Sequence, residues 1–179
     1  SLARMIELVR PGADWQMLDI ATGGGHVALN FAPHVARAVA SDLTREMLEQ
    51  VEKQVAEKGL ENVETLEADA EDLPLEDASF DLVMNFAILH HVPDWRQALS
   101  EVHRTLKAGG EFLFEDLPFE TWERGVGIPS KRIADHPYDQ TFRKREFVDE
   151  LVALGFSVKT RENHPLSLYH FWGRAEKTA

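Results

Sequence analysis

The sequence predicts an α/β fold: a doubly wound, mostly parallel seven-stranded sheet with an antiparallel C-terminal strand. Three observations carry this. Short apolar runs of strand length alternate with segments of helical period through most of the chain. A glycine turn, Thr22-Gly23-Gly24-Gly25, joins the first such run to the helix after it. The chain then closes on two strand-like runs with no helical pattern between them, which makes a hairpin and so one antiparallel strand.

Each element follows from its residues. Leu2, Met5, Ile6 and Val9 recur at helical spacing, and Pro11-Gly12 ends that helix. The first strand covers residues 16 to 21, and a helix runs from about Gly25 until Pro33 stops it. Strand two is 37 to 41 and leads into Asp42-Leu43. Thr44 caps the next helix, in which Met47, Leu48, Val51 and Val55 share a face and Gly59 is the stop. Strand three, 63 to 67, runs into Asp69-Ala70 and an acidic turn over 71 to 78. Strand four, 80 to 85, is closed by Phe86-Ala87-Ile88-Leu89-His90-His91. Asp94 caps a helix whose stripe is Trp95, Ala98, Leu99, Val102 and Leu106, so Trp95 reads as packing. Lys107 to Gly110 turns into strand five, 111 to 115. Residues 117 to 140 lack periodicity and carry Pro118, Pro129 and Pro137; a connection that long usually has a function. Phe147, Val148, Leu151 and Val152 mark the last helix, Gly155 stops it, and strands 156 to 160 and 167 to 174 follow.

Composition narrows the function. A chain of 179 residues fits one domain with a substantial core. The net charge of −12 argues against a nucleic-acid partner, because binding phosphates needs clustered Lys and Arg. Arg143-Lys144-Arg145, the tightest basic cluster, reads as a solvated helix start. There is no cysteine, which excludes disulfides, thiolate nucleophiles and Cys-based metal sites and is compatible with the cytoplasm. The longest mostly apolar stretch, 82 to 89, is too short to span a bilayer, so no membrane partner is expected. No charged-then-apolar leader opens the chain, and its abrupt start inside a helix is the start expected of a trimmed N-terminus.

Strand, glycine turn, helix, strand and acid form the pattern of a nucleoside-bearing cofactor site. Glycines let backbone approach the ligand, and an acid at the tip of strand two can accept both ribose hydroxyls. Gly23-x-Gly25-x-x-Ala28 satisfies the dinucleotide fingerprint, with Asp42 at a ribose-contacting distance. Read from Asp19, the same residues fit acid-x-G-x-G-x-G with Ala21 in the first glycine place. The turn alone leaves both cofactor classes open.

The remainder of the chain carries a resemblance. Leu18-Asp19-Ile20-Ala21-Thr22-Gly23-Gly24-Gly25, Ser41-Asp42-Leu43-Thr44, Asp69-Ala70-Glu71-Asp72-Leu73-Pro74, Phe80-Asp81-Leu82-Val83, Leu89-His90-His91 and Leu106-Lys107-Ala108-Gly109-Gly110 follow one another in order. Together they resemble the motifs of class I S-adenosylmethionine-dependent methyltransferases, small-molecule type, close to the ubiquinone/menaquinone-biosynthesis group. The resemblance covers residues 16 to 115, and the terminal hairpin agrees with that family's reversed seventh strand. It implies a Rossmann-like fold, a single methyltransferase-like domain over 1 to 179, S-adenosylmethionine as cofactor with S-adenosylhomocysteine as product, and a small-molecule methyl acceptor.

It also implies roles. The turn from Ala21 through Gly23 to Gly25 would cradle the methionine part and ribose, with Asp19 holding the amino group or the turn itself. Asp42 would accept the ribose hydroxyls, Leu43 would pack on the adenine, and Asp69 with the Ala70 N–H would bind its edge. Asn85 and Phe86 would border the methionine end. Ala21 departs from the family's glycine. The acidic chain suits a sulfonium cation with a positive α-amino group, and no pyrophosphate needs neutralising. Methyl transfer is an in-line displacement, so alignment is the protein's main task.

On the acceptor side, His90 and His91 are candidates for a general base or acceptor contact, against a structural reading in which one imidazole is buried and hydrogen-bonded. Two adjacent histidines tend to diverge and no spaced third ligand accompanies them, so no metal is expected. Glu115 and Asp116, ending strand five, are candidates for orienting the acceptor or taking its proton. His136 and Tyr138 in the long connection are candidate substrate contacts. Trp122 reads as packing, and Tyr169-His170-Phe171-Trp172 as a core strand. The alternatives are an NAD(P)-dependent oxidoreductase, which leaves Asp69-Ala70 and the hairpin without a role, and a non-catalytic S-adenosylmethionine-binding module. The sequence carries no signal for acceptor atom or oligomeric state.

Overall fold

The computed structural model describes residues 2–119, 142–161 and 171–178, apart from the side chains of Arg4, Thr160 and Arg161. Its elements in chain order are α1 (Leu2–Val9), β1 (Gln16–Ile20), α2 (His26–Phe31), β2 (Arg37–Asp42), α3 (Arg45–Lys58), β3 (Val63–Glu67), β4 (Phe80–Phe86), α4 (Trp95–Thr105), β5 (Leu106–Asp116), α5 (Lys144–Ala153), β6 (Phe156–Arg161) and β7 (Phe171–Lys177). The strands form one seven-stranded sheet in the order β3-β2-β1-β4-β5-β7-β6. Pairing is parallel from β3 to β5 and antiparallel where β7 meets β5 and β6. The predicted fold class is the observed one. The strand order reverses between β1 and β4, which opens the crevice where ligands bind in such sheets.

The sheet separates two cores. On one face Leu18, Ile20, Val83, Phe112, Phe114 and Phe171 pack against α4 and α5. On the other, Met17, Ala38, Ala40, Leu82, Met84 and Leu113 pack under α1, α2 and α3. Both patterns are the period-two alternation of a pleated strand. The first core is aromatic: Phe147 lies 4.8 Å from Phe142, 5.0 Å from Phe114 and 5.7 Å from Phe171, ring centre to ring centre, and Trp95 stacks on it at 5.9 Å. Trp95 is thus a packing residue, as its place on the helical stripe predicts.

Boundaries differ in informative ways. The expected turn Lys107 to Gly110 is a bulge inside β5: Phe80 pairs with Leu106, the next pair is Leu82 with Glu111, and Gly109 takes φ +76°. Among the described residues the last strand is Phe171–Lys177, so it runs past the expected end at 174. Its register against β5, Asp116 opposite Phe171 and Glu111 opposite Glu176, carries it to Lys177. Val152 does not share the buried face of α5; its exposure is 58% while Phe147 and Leu151 are buried. Thr44 sits at the N-cap of α3 without a side-chain capping bond, whereas Asp94 caps α4 through Gln97 N–H at 3.1 Å. Arg143 and Arg145 are exposed at the start of α5, as a solvated helix start requires. Most of the expected 117–140 connection, with Trp122, His136 and Tyr138, lies outside the described residues, as do residues 167–170.

Candidate functional site

The site forms where β1, β2, β4 and β5 end. At the end of β1, Ala21 takes φ +49° and starts the glycine turn. Thr22 N–H donates to Ser41 O at 2.8 Å and Gly25 N–H to Thr22 O at 3.0 Å, which ties the turn to β2 and to itself. Gly25, at φ +78°, packs so closely on α3 that a Cβ there would meet Val51 Cγ2 at 2.8 Å. Gly23 and Gly24 are the opposite case: a Cβ at either would have nothing within 4 Å. Gly25 brings helices together, and Gly23-Gly24 leave an open cradle.

Two carboxylates hold the cradle. Asp42, at the tip of β2, accepts from Gly23 N–H at 2.8 Å through one oxygen and from Thr44 N–H at 2.9 Å through the other. A carboxylate has about four acceptor positions, so both oxygens can still take a ligand hydroxyl. Asp19 is buried in β1 and accepts from Thr22 Oγ1 at 2.6 Å and Ala28 N–H at 3.1 Å, so it caps α2 from outside the helix. Burial raises its pKa to about 7, against the opposing pull of those two donors.

A cavity of about 500 Å³ opens beside this turn, on the sheet face covered by α1 and α2. Asp19, Ala21 and Thr22 line it from β1 and the turn, His26 and Val27 from α2, Phe86 and Glu115 from the ends of β4 and β5, and Leu2 and Met5 from α1. The structure therefore gathers Asp19, Ala21, Phe86 and Glu115 in one cavity. Thr22 belongs to the turn that the sequence reading makes the cradle, while His26, Leu2 and Met5 join it without an assigned site role. His26 follows the glycine motif directly and could have been found by that position; Leu2 and Met5 carry no signal beyond an apolar helix face.

The remaining candidates do not line this cavity. Leu43 is 68% exposed beside Asp42. Asp69 is exposed and accepts from Glu71 N–H at 3.0 Å, while Ala70 is half-buried; Ala68 N–H donates to Asp42 O at 3.0 Å and anchors the segment to β2. Asn85 and His90 are not on the cavity side. Both are buried with Asp116, to which Asn85 Nδ2 lies at 3.0 Å and His90 Nδ1 at 2.6 Å. His91 is exposed, its ring centre 4.0 Å from that of His90. Glu115 and Asp116, adjacent in sequence, thus sit on opposite faces of the sheet. Among the described residues no cluster of three or more acids and histidines could hold a metal, and no helix is long and apolar enough to cross a membrane.

Comparison with known proteins agrees with this arrangement. A family profile described as Methyltransferase domain matches residues 18–114. The chain is 42% identical over 115 residues to the uncharacterized methyltransferase YcgJ of Bacillus subtilis, covering 64% of this chain and 46% of that protein. It is 41% identical over 135 residues to the ubiquinone/menaquinone biosynthesis C-methyltransferase UbiE of Brucella anthropi, covering 73% and 47%. This chain thus spans about half the length of those two relatives. The crystal structure of YcgJ superposes with a TM-score of 0.83 at 24% identity, covering 99% of this chain and 98% of that one, which establishes the shared fold. Glycine turn, carboxylate at the tip of β2, antiparallel last strand and matching profile lead to one assignment: the chain belongs to the class I S-adenosylmethionine-dependent methyltransferases.

Proposed function

We propose that the protein transfers a methyl group from S-adenosylmethionine to a small-molecule acceptor by in-line displacement, and that residues 1–179 form a single methyltransferase-like domain. The observation that carries the reading is the junction between the open Gly23-Gly24 cradle and the Asp42 carboxylate, which holds Gly23 N–H at 2.8 Å and keeps acceptor capacity for two ribose hydroxyls. Bound there, the cofactor supplies an electrophilic methyl on a sulfonium cation. Asp42 fixes the ribose and exposed Leu43 covers the adenine, whose edge meets Asp69 and the Ala70 N–H. Asp19 complements the α-amino group next to Ala21 and Thr22. Phe86 walls the methionine end and excludes water from the transfer line.

The acceptor then enters between α1 and the ends of β4 and β5, where Leu2, Met5 and Phe86 offer apolar contact and Glu115 a carboxylate. Of the histidine pair, exposed His91 is the one we assign to the acceptor side. A net charge of −12 argues against a nucleic-acid acceptor, and the cysteine-free sequence suits the cytoplasm.

Calorimetric titration with S-adenosylhomocysteine and, separately, NADH tests this. The expected result is binding of the first alone, weakened by Asp42→Ala, followed by turnover in an acceptor screen. Binding of NADH alone would overturn the cofactor assignment; binding without turnover on any acceptor class would leave the non-catalytic module as the better account.

A further inference from the structure

We propose that Asp116 is the positioning residue of this site: it locks the turn after β4, and with it Phe86 and the His90–His91 pair, in the form that receives cofactor and acceptor. The proposal rests on the cofactor reading above. Asp116 is 0% exposed, and its two oxygens collect donors from three directions. One oxygen accepts from Asn85 Nδ2 at 3.0 Å and Leu89 N–H at 2.9 Å; the other accepts from His90 Nδ1 at 2.6 Å and Leu117 N–H at 2.8 Å. Only an acceptor-only group satisfies all of these together. An amide in its place would turn a donor toward one of the two pairs.

What is clamped explains why. Asn85 and Leu89 bracket residues 86–88, and both donate to the same Asp116 oxygen, so the intervening chain is pulled into a closed loop. At its centre Ala87 takes φ +57°, a left-handed conformation that a residue with a Cβ resists, and Ala87 N–H is held on Glu115 O at 2.7 Å. A strained turn persists when its surroundings over-determine it. The clamp lies on the sealed face of the sheet, while Phe86, one residue before the strained position, lines the cavity on the other. A contact on one face thereby sets the wall presented on the other.

Two details support this. The amide of Asn85 is orientated by the carboxylate, which takes its Nδ2 and leaves Oδ1 buried with no hydrogen-bond partner among the described residues. That buried carbonyl is tolerated because the opposite orientation would set oxygen against oxygen. The same carboxylate requires a proton on His90 Nδ1 and so fixes the ring against which His91 lies.

The test combines binding with nitrogen NMR of the imidazoles. In the wild type at about pH 8, His90 Nδ1 is expected to be protonated; an unprotonated Nδ1 would overturn the clamp without any variant. Asp116→Asn is expected to weaken S-adenosylhomocysteine binding at least tenfold and to displace the His90 signals. Val102→Ala, a truncation of a buried side chain of α4, serves as the stability control: melting temperature falls and affinity stays within about twofold. Affinity within twofold in Asp116→Asn, or equal loss in Val102→Ala, would overturn the proposal. Wild type that fails to bind would instead overturn the cofactor reading, and the positioning role with it.

Discussion

The two faces of the sheet at its ligand-binding end are made by neighbouring residues of the same strands, yet they are built for different purposes. Phe86 and Glu115 turn toward α1 and α2 and line a cavity; Asn85 and Asp116, each one residue away, turn toward α4 and α5 and close on one another. The sealed face is consolidated by an aromatic cluster around Phe147, with Phe114, Phe142 and Phe171 all within 5.7 Å of its ring centre. The open face trades that packing for glycines, exposed Leu43 and carboxylates with spare acceptor capacity. The sealed face should therefore carry folding stability and the open face ligand affinity, and substitutions can separate the two.

The largest effect belongs to the sealed face. Phe147→Ala should cost about 3–5 kcal/mol in denaturant unfolding, the range for deleting a buried ring, and leave the affinity of the folded protein for S-adenosylhomocysteine nearly unchanged. A cost below about 1 kcal/mol would break the comparison. Within the glycine turn the same division should appear at closer range. Gly25→Ala, which brings a Cβ to 2.8 Å from Val51 at φ +78°, should destabilise by about 2–4 kcal/mol. Gly23→Ala has φ +54° but open space, so about 1–2 kcal/mol of stability and most of the cofactor affinity should go. Equal stability losses at both would show that the cradle is not open.

On the open face, Asp42→Ala should lower S-adenosylhomocysteine affinity roughly 10–100-fold through lost charge-assisted hydrogen bonds, at a stability cost of about 1–2 kcal/mol. Asp19 gives a pH signature. Its pKa of about 7 means that it is largely protonated at pH 6 and largely ionised at pH 8 in the free protein. A cationic α-amino group favours the ionised form, so affinity should rise about tenfold across that interval, with a proton released on binding. Calorimetry in buffers of different ionisation enthalpy measures that release, and Asp19→Asn should abolish it. A flat profile in the wild type would remove Asp19 from the methionine end. The smallest effect is at Ala21: with φ +49°, Ala21→Gly should stabilise by about 1 kcal/mol or less, as relief of left-handed strain exceeds the entropic cost of glycine.

Local pattern and motif spacing were enough for much of this molecule. The alternation of strand runs and helical stripes, the stops at Pro33, Gly59 and Gly155, and the terminal hairpin determined the fold class because each depends on neighbours within a few residues. The places of Asp19, Gly23, Gly25 and Asp42 followed from the strand–turn–helix–strand unit for the same reason. What the sequence could not determine was the sidedness of the strand ends. Glu115 and Asp116 read as an equivalent pair of acids, and His90 and His91 as an equivalent pair of imidazoles. Only the pleat, the register of β4 against β5 and the helices lying on each face decided that one acid faces a cavity and the other a buried amide and ring. Tertiary structure also decided that Leu2 and Met5 of α1, distant in sequence from every motif, wall the cavity, since bringing such residues together depends on long-range packing that no local pattern encodes.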